Sequence, residues 1–241
     1  MSQIADDLPY RITETSLARK ALTGLMLLAL TTAAVGFGGR QIGQSLSLAG
    51  RSEETGIRSI TIGDDTIEVA SNMIRQERAR RDGLATRLDL YVRWPEMDGY
   101  ASASRAAFDD ADAGRSLIFM SFEPRAMSRD MSGRLETVYR ALIEPGGTPG
   151  LGGTTSYRFE KNSGYGEEEL VVGQRDGMEP FVARCLIEAY GEETLSPCER
   201  DVSVGSGLSL TYRFSRTLLA DWQKMDAAVT GAASAMVRNS G

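Results

Sequence analysis

Few residues in this chain have the types and spacing that chemistry needs. Arg75, Arg78, Arg80 and Arg81 lie in the run RQERARR, its densest basic cluster. Guanidinium groups this close together could grip a phosphate or a carboxylate through charge-assisted hydrogen bonds. They are the candidate contact for an anion or a protein partner, although Glu77 and Asp82 dilute the cluster and a solvated face is the plainer reading. Asp109, Asp110 and Asp112 precede Gly114 in FDDADAGR, which brings a calcium loop to mind. The glycine comes fifth from Asp110 and no glutamate closes the loop at its twelfth position, so an acidic turn is expected rather than a metal site. Glu167, Glu168 and Glu169 could act as acids or bases, but adjacency in sequence does not set the carboxylate separation that such chemistry requires.

Several chemistries are excluded or left without support. The chain has no histidine, which removes His-based triads, His metal sites and the usual pH switch. The glycines of GGTPGLGG match neither the dinucleotide fingerprint nor the phosphate-binding loop. Neither GxSxG nor SxxK occurs. No catalytic residue, cofactor or metal is therefore expected. Net charge is −6, and the first twenty residues sum to zero, so the acidity belongs to the remainder. An acidic domain is a poor electrostatic partner for nucleic acid, whose affinity comes largely from phosphate neutralisation.

Cys185 and Cys198 are the chain's two cysteines, each beside a strand-like run, PFVARCLI and CERDVSV. Two adjacent strands joined by the intervening loop could bring them to disulfide distance. Two separate buried thiols are the alternative. A disulfide would stabilise the fold by about 3 kcal/mol in the chain-entropy account and would place the domain in an oxidising compartment.

Residues 21–39, ALTGLMLLALTTAAVGFGG, carry no charge. As a helix they would span roughly 28 Å, about the hydrocarbon thickness of a bilayer. A retained transmembrane anchor is the favoured reading, against a buried core helix or a signal peptide cleaved near Ala34-Val35-Gly36. Arg11, Arg19 and Lys20 precede the segment and Arg40 and Arg51 follow it, which by the positive-inside rule favours a cytoplasmic N-terminus. The expected layout is a cytoplasmic tail (1–20), the transmembrane helix (21–39), a Gly/Ser/Gln-rich juxtamembrane linker (40–56) and a periplasmic domain (57–241).

In that domain, alternating apolar residues predict a hairpin around Gly63-Asp64-Asp65 and strands over 86–94 and 116–124. The pair Trp94-Pro95 after the first of these could make an aromatic platform or a core tryptophan. Met131, Leu135, Val138, Tyr139 and Leu142 share one face of a helix predicted over 131–143, capped by Ser128 or Asp130. The stretch 144–153 reads as a loop and a candidate internal boundary. Five strand runs follow, TSYRFE, EELVVG, PFVARCLI, CERDVSV and GLSLTYRF, with the glycine-containing turns of an antiparallel meander. Leu218, Trp222, Met225, Val229 and Ala233 form the apolar stripe of a closing helix over about 216–238. The fold class is α+β: one N-terminal transmembrane helix, then a mainly antiparallel sheet domain with a few helices, including this C-terminal amphipathic one.

The run LARKALTGLMLLALTTAAVGFGGRQIG, followed by SNMIR, LDLYVRWPEMDGY, MSRDMSGR, PFVARC, PCERD, LSLTYRF and LLADW, resembles a family of alphaproteobacterial transmembrane-anchored hypothetical proteins. That resemblance implies an inner-membrane anchor with a periplasmic domain; it brings no assigned activity and no functional residues. The sequence thus points to a single-pass inner-membrane protein, a non-enzymatic accessory or scaffolding component that meets the membrane and a protein partner in an envelope complex. A carboxylate-based envelope enzyme acting on glycans and a periplasmic ligand or stress sensor are the rival readings. The sensor is disfavoured by a tail too short for an output domain.

Overall fold

The computed structural model describes residues 19–20, 22–32, 50–110, 113–191 and 194–239. The chain divides into two compact units, Met1–Gly50 and Arg51–Gly241. In the first, residues 22–32 are helical, and Leu22, Leu25, Met26, Leu27, Leu28 and Leu30 stay exposed on all sides of the helix. The hydroxyls of Thr23, Thr31 and Thr32 donate to backbone carbonyls one turn earlier, which satisfies them without leaving the helix. Among the described residues no helix is long and apolar enough to cross a membrane. Residue 21 and residues 33–39 of the expected span lie outside the described residues, as do 40–49 of the expected linker. The last residues of that linker belong to the second unit. Arg51 pairs with Asp109, and Glu54 and Gly56 carbonyls accept from the Asn72 and Ser71 backbone.

The second unit is α+β, built on an eight-stranded antiparallel sheet ordered β4-β5-β11-β10-β9-β8-β7-β6. Its strands are β4 (Leu88–Arg93), β5 (Leu117–Pro124), β6 (Thr148–Pro149), β7 (Thr155–Arg158), β8 (Glu168–Gly173), β9 (Phe181–Leu186), β10 (Cys198–Val204) and β11 (Leu208–Phe214). The meander β7 to β11 follows the alternation in the sequence, while β5 closes on β11 from far along the chain. A smaller sheet has the order β12-β2-β1-β3, from β1 (Ile57–Ile62), β2 (Asp65–Ala70), β3 (Gly83–Leu84) and β12 (Val237–Asn239). The chain's end thus pairs with its first hairpin, Val237 opposite Ile67.

The C-terminal helix (Trp222–Met236) and the small sheet together cover one face of the large sheet. Trp222, Met225, Val229 and Ala233 are buried there with Ile62, Ile67, Met120, Phe122, Leu210 and Phe214. Full burial of side chains such as Met225 and Val229 contributes about 1.5–3 kcal/mol each. A buried ion pair shares this core. Asp226 meets Arg200 on β10 at 3.0 Å, and accepts from Arg175 and from the hydroxyl of Tyr212, the cross-strand partner of Arg200 on β11.

The helix predicted over 131–143 does not form as a regular α-helix. Its backbone N–H groups reach back three, four and five residues in turn, as Leu135 to Ser132, Val138 to Arg134 and Arg140 to Leu135. Only Tyr139–Ala141 closes a 3₁₀ turn. Gly133 and the adjacent β-branched Thr137 and Val138 weaken helix formation. Arg200 also holds Ser132 at 2.8 Å, which ties the segment to the sheet. Val138 is exposed, while Met131, Leu135 and Tyr139 are buried in a second, smaller core with Leu170, Val172 and Val182. Asp130 caps the segment as expected, accepting from the Gly133 N–H at 3.1 Å.

The stretch 144–153 lies inside the second unit. Trp222 Nε1 donates to the Gly152 carbonyl at 3.0 Å. A Cβ on Gly152, whose φ is +61°, would stand 2.3 Å from the Leu219 carbonyl, so this approach requires glycine. Asp65, fully buried at the turn of the first hairpin, locks the β10–β11 turn by accepting from the backbone of Ser206 (3.1 Å) and Gly207 (2.8 Å). Burial alone would raise its pKa, but these bonds, with the Ser206 hydroxyl and nearby Arg125, bring it below the ordinary carboxylate value.

Candidate functional site: a polar groove on the open face of the sheet

Because side chains alternate along a strand, the face of the large sheet opposite the C-terminal helix carries the other residue of each pair. Its two ends are covered. Over β4, Tyr91 meets Phe108 edge-on at 5.1 Å, and Phe108 meets Tyr100 at 5.3 Å. Over β8 and β9 lies the second core around Tyr139 and Phe159. The middle stays open, and the register sets its residues in cross-strand rows. One row runs Tyr91–Phe119–Arg213–Glu199–Arg184, and the next runs Asp89–Ser121–Thr211–Asp201. Ser121 and Thr211 are short, so the second row forms the floor of a groove between longer charged side chains.

Two connected hollows make up this groove. The larger, about 560 Å³, is lined by Arg75, Arg87, Asp89, Phe119, Thr211 and Arg213, with the wall 194–196 on one side. The smaller, about 220 Å³, is lined by the segment 125–131, Arg134, Arg184, Asp201 and Ser209. Glu123, Glu199 and Thr211 border both.

Each carboxylate on the open rows is braced by an arginine of the same chain. Arg87 pairs with Asp89 at 2.7 Å and with Glu123, and donates to Ser121 Oγ at 3.0 Å. Arg184 pairs with Glu199 and, at 3.2 Å, with Glu168. Arg134 pairs with Asp201. Arg184 and Arg134 also stack on Tyr165 and Tyr139, at 4.9 and 5.7 Å, which fixes the planes of their guanidiniums. Burial pushes the carboxyls of Asp201 and Glu168 upward, with Arg134 and Arg184 respectively pulling against it. Such bracing suits a rigid recognition surface.

The four arginines singled out in the sequence are not brought together. Arg75 enters the groove, its Cζ 5.2 Å above the Phe119 ring. Arg80 turns inward and donates to the Ile74 carbonyl at 3.1 Å. Arg78, bonded to Gln76 at 3.0 Å, and Arg81 border a neighbouring shallow hollow. The segment that carries them is a series of short 3₁₀ turns rather than one helix, so successive residues point in unrelated directions. Asp109 is held by Arg51 and Arg105, and no cluster of three metal-ligating side chains occurs among the described residues. Trp94 packs, partly buried, against the main core, as a core tryptophan rather than a platform. Cys185 and Cys198 form the disulfide, directly opposite one another on β9 and β10. The groove residues Arg87, Phe119, Arg184 and Arg213 were missed. Their one signal in the sequence is a charged or aromatic side chain on the polar phase of an alternating strand.

No protein-family model matches the sequence, and no curated protein matches it. Among solved structures, Smlt3025, an immunity protein of the Stenotrophomonas maltophilia type IV secretion system, superposes with a TM-score of 0.51. It is 15% identical over 76% of this chain and 94% of its own. The likeness is one of fold. A weaker one, with a TM-score of 0.45 and 9% identity over 78% of this chain and 97% of the other, is to the Neisseria meningitidis iron-regulated outer membrane lipoprotein FrpD.

Proposed function

We propose that this chain is an inner-membrane protein whose segment 21–39 anchors a periplasmic unit, and that this unit binds a protein partner in its polar groove as an accessory component of an envelope complex. The observation that carries the reading is the groove itself, an open sheet face whose strand carboxylates are held by Arg87, Arg134 and Arg184, the last two lying over tyrosine rings. A preorganised charged surface of this kind selects a partner by complementarity at little ordering cost. The charge-free stretch 21–39, with its leucines exposed where they are described, supports the anchor. The disulfide supports an oxidising compartment. The likeness in fold to an immunity protein of a secretion system is in keeping with a role in partner binding. An anchor would hold the groove in a thin layer beside the membrane and raise its effective concentration for partners there.

Placement is tested by fusing alkaline phosphatase to the C-terminus. The fusion is expected to be active, and an inactive fusion alongside an active cytoplasmic reporter would reverse the topology. Partner binding is tested by purifying the tagged full-length protein from detergent-solubilised membranes and identifying what accompanies it by mass spectrometry. A stoichiometric protein is expected, and it should be lost when Thr211 on the groove floor becomes tryptophan while circular dichroism stays unchanged. A partner that survives Thr211→Trp but disappears when 21–39 is replaced by an unrelated membrane helix would move the contact to the anchor. The absence of any partner would sink the proposal.

A further inference from the structure

We infer that Arg75, Phe119 and Arg213 form a subsite for an aspartate or glutamate side chain of the bound protein. This rests on the proposed partner binding in the groove and adds the chemistry of what docks there.

The arginines of the larger hollow and those that brace the strand carboxylates fall into two groups. Arg87, Arg134 and Arg184 are spent on the chain's own carboxylates. Arg75 and Arg213 make no ion pair and no side-chain hydrogen bond among the described residues; Arg75 has only the Phe119 ring beneath it. The ring also lies beside Arg213, its cross-strand partner on β11. Side chains directly opposite in an antiparallel pair stand about 4.5–5.5 Å apart at Cβ. One guanidinium with unused donors therefore lies over the half-buried Phe119 ring, and a second is rooted beside that ring, between it and Glu199, on the wall of the same hollow.

Both side chains are exposed, so these donors are open to solvent in the free protein. A docked partner would strip that solvent, and an unpaired guanidinium left in the interface is costly. A partner that fills the hollow must supply an acceptor there, and a carboxylate meets the guanidinium fork with two parallel hydrogen bonds. The surroundings limit the ligand to a discrete anion. Asp89, Glu123 and Glu199 border the same hollow, and the chain as a whole carries −6. A continuous anionic surface such as a lipid bilayer would be repelled by them, whereas one acidic side chain within a neutral or basic segment is not.

The test presents the full-length protein in detergent to a displayed library of random short peptides. Enriched peptides are expected to share an aspartate or glutamate. Changing that residue to its amide should weaken binding about tenfold or more. The Arg75→Gln/Arg213→Gln double variant should lose the same peptides, and Arg78→Gln/Arg81→Gln should keep them. Peptides that Thr211→Trp blocks but that carry no acidic residue, or that bind the double variant equally well, would overturn the subsite and leave the groove a docking site. Peptides indifferent to Thr211→Trp would overturn both. An empty selection overturns the subsite too. If phosphatidylglycerol vesicles then bind the wild type and not the double variant, the ligand is a lipid headgroup.

Discussion

Asp226→Asn is expected to lower the unfolding free energy by about 3–5 kcal/mol, the usual cost of removing one partner from a buried ion pair. Asp226 is almost fully buried and accepts from Arg200, Tyr212 and Arg175. Asparagine keeps the shape and a bond to Tyr212 but leaves the equally buried Arg200 without its counter-charge. The Ser132 hydroxyl and the Val182 carbonyl, its other partners at 2.8 and 2.9 Å, are neutral. Replacing both residues, as Arg200→Met with Asp226→Leu, should cost less than Asp226→Asn alone, because the one fully buried guanidinium goes with its partner, while Arg175, which loses the same carboxylate, is partly exposed and can turn to solvent. Urea unfolding of the full-length protein in detergent checks both, and a loss below about 1 kcal/mol for Asp226→Asn would contradict the argument.

The same carboxylate sets an acid limit. Burial would raise the pKa of Asp226, yet Arg200, the Tyr212 hydroxyl and Arg175 together hold it below the ordinary value. Its folded pKa is thus lower than its unfolded one. The stabilisation is complete above the unfolded pKa of about 4 and disappears as pH falls through the folded value. Asp65, lowered in the same direction, adds to this limb. Asp226→Asn should therefore be less stable at neutral pH and lose less on acidification.

Removing the disulfide, by reduction or by Cys185→Ser with Cys198→Ser, should cost about 3 kcal/mol. For a unit of this size that corresponds to roughly 6–12 °C in melting temperature. The position matters as much as the energy. β10 pairs with β11 over seven residues and β8 with β9 over six, but β9 meets β10 at only two, Cys185 with Cys198 and Arg184 with Glu199. Beyond those pairs Met131 comes alongside β10, its N–H 3.5 Å from the Asp201 carbonyl. The disulfide therefore staples the narrowest joint in the interior of the sheet, matched only by the β6–β7 pair at its edge, and it stands beside an ion pair of the groove. Reduction is expected to weaken partner binding along with stability. A melting temperature within about 2 °C of the oxidised protein would mean that packing alone holds the joint.

How much was legible follows from what periodicity encodes. Alternation over LDLYVR, LIFMSFEP and LSLTYRF, and the stripe Trp222–Met225–Val229–Ala233, each report which side chains share a face. Strand positions and the closing helix could be read from that alone; that the two cysteines oppose one another also needed the pairing of β9 with β10. The irregular 131–143 segment could not be read so, because its apolar spacing fits a helix while its hydrogen bonds go where Arg200 and the second core draw them. The strand β12 could not either, since three residues carry no period.

What the sequence determined by itself is the inventory: no histidine, two cysteines on strands, a charge-free stretch near the start, and sheet faces with one apolar and one polar phase. Tertiary structure alone decided the neighbours. Asp89, Ser121, Thr211 and Asp201 span more than a hundred residues of chain and form one row only because β5 lies between β4 and β11. Periodicity is a property of a single strand, whereas strand order is settled by which faces can be buried together. A groove assembled across strands is therefore invisible until that order is known.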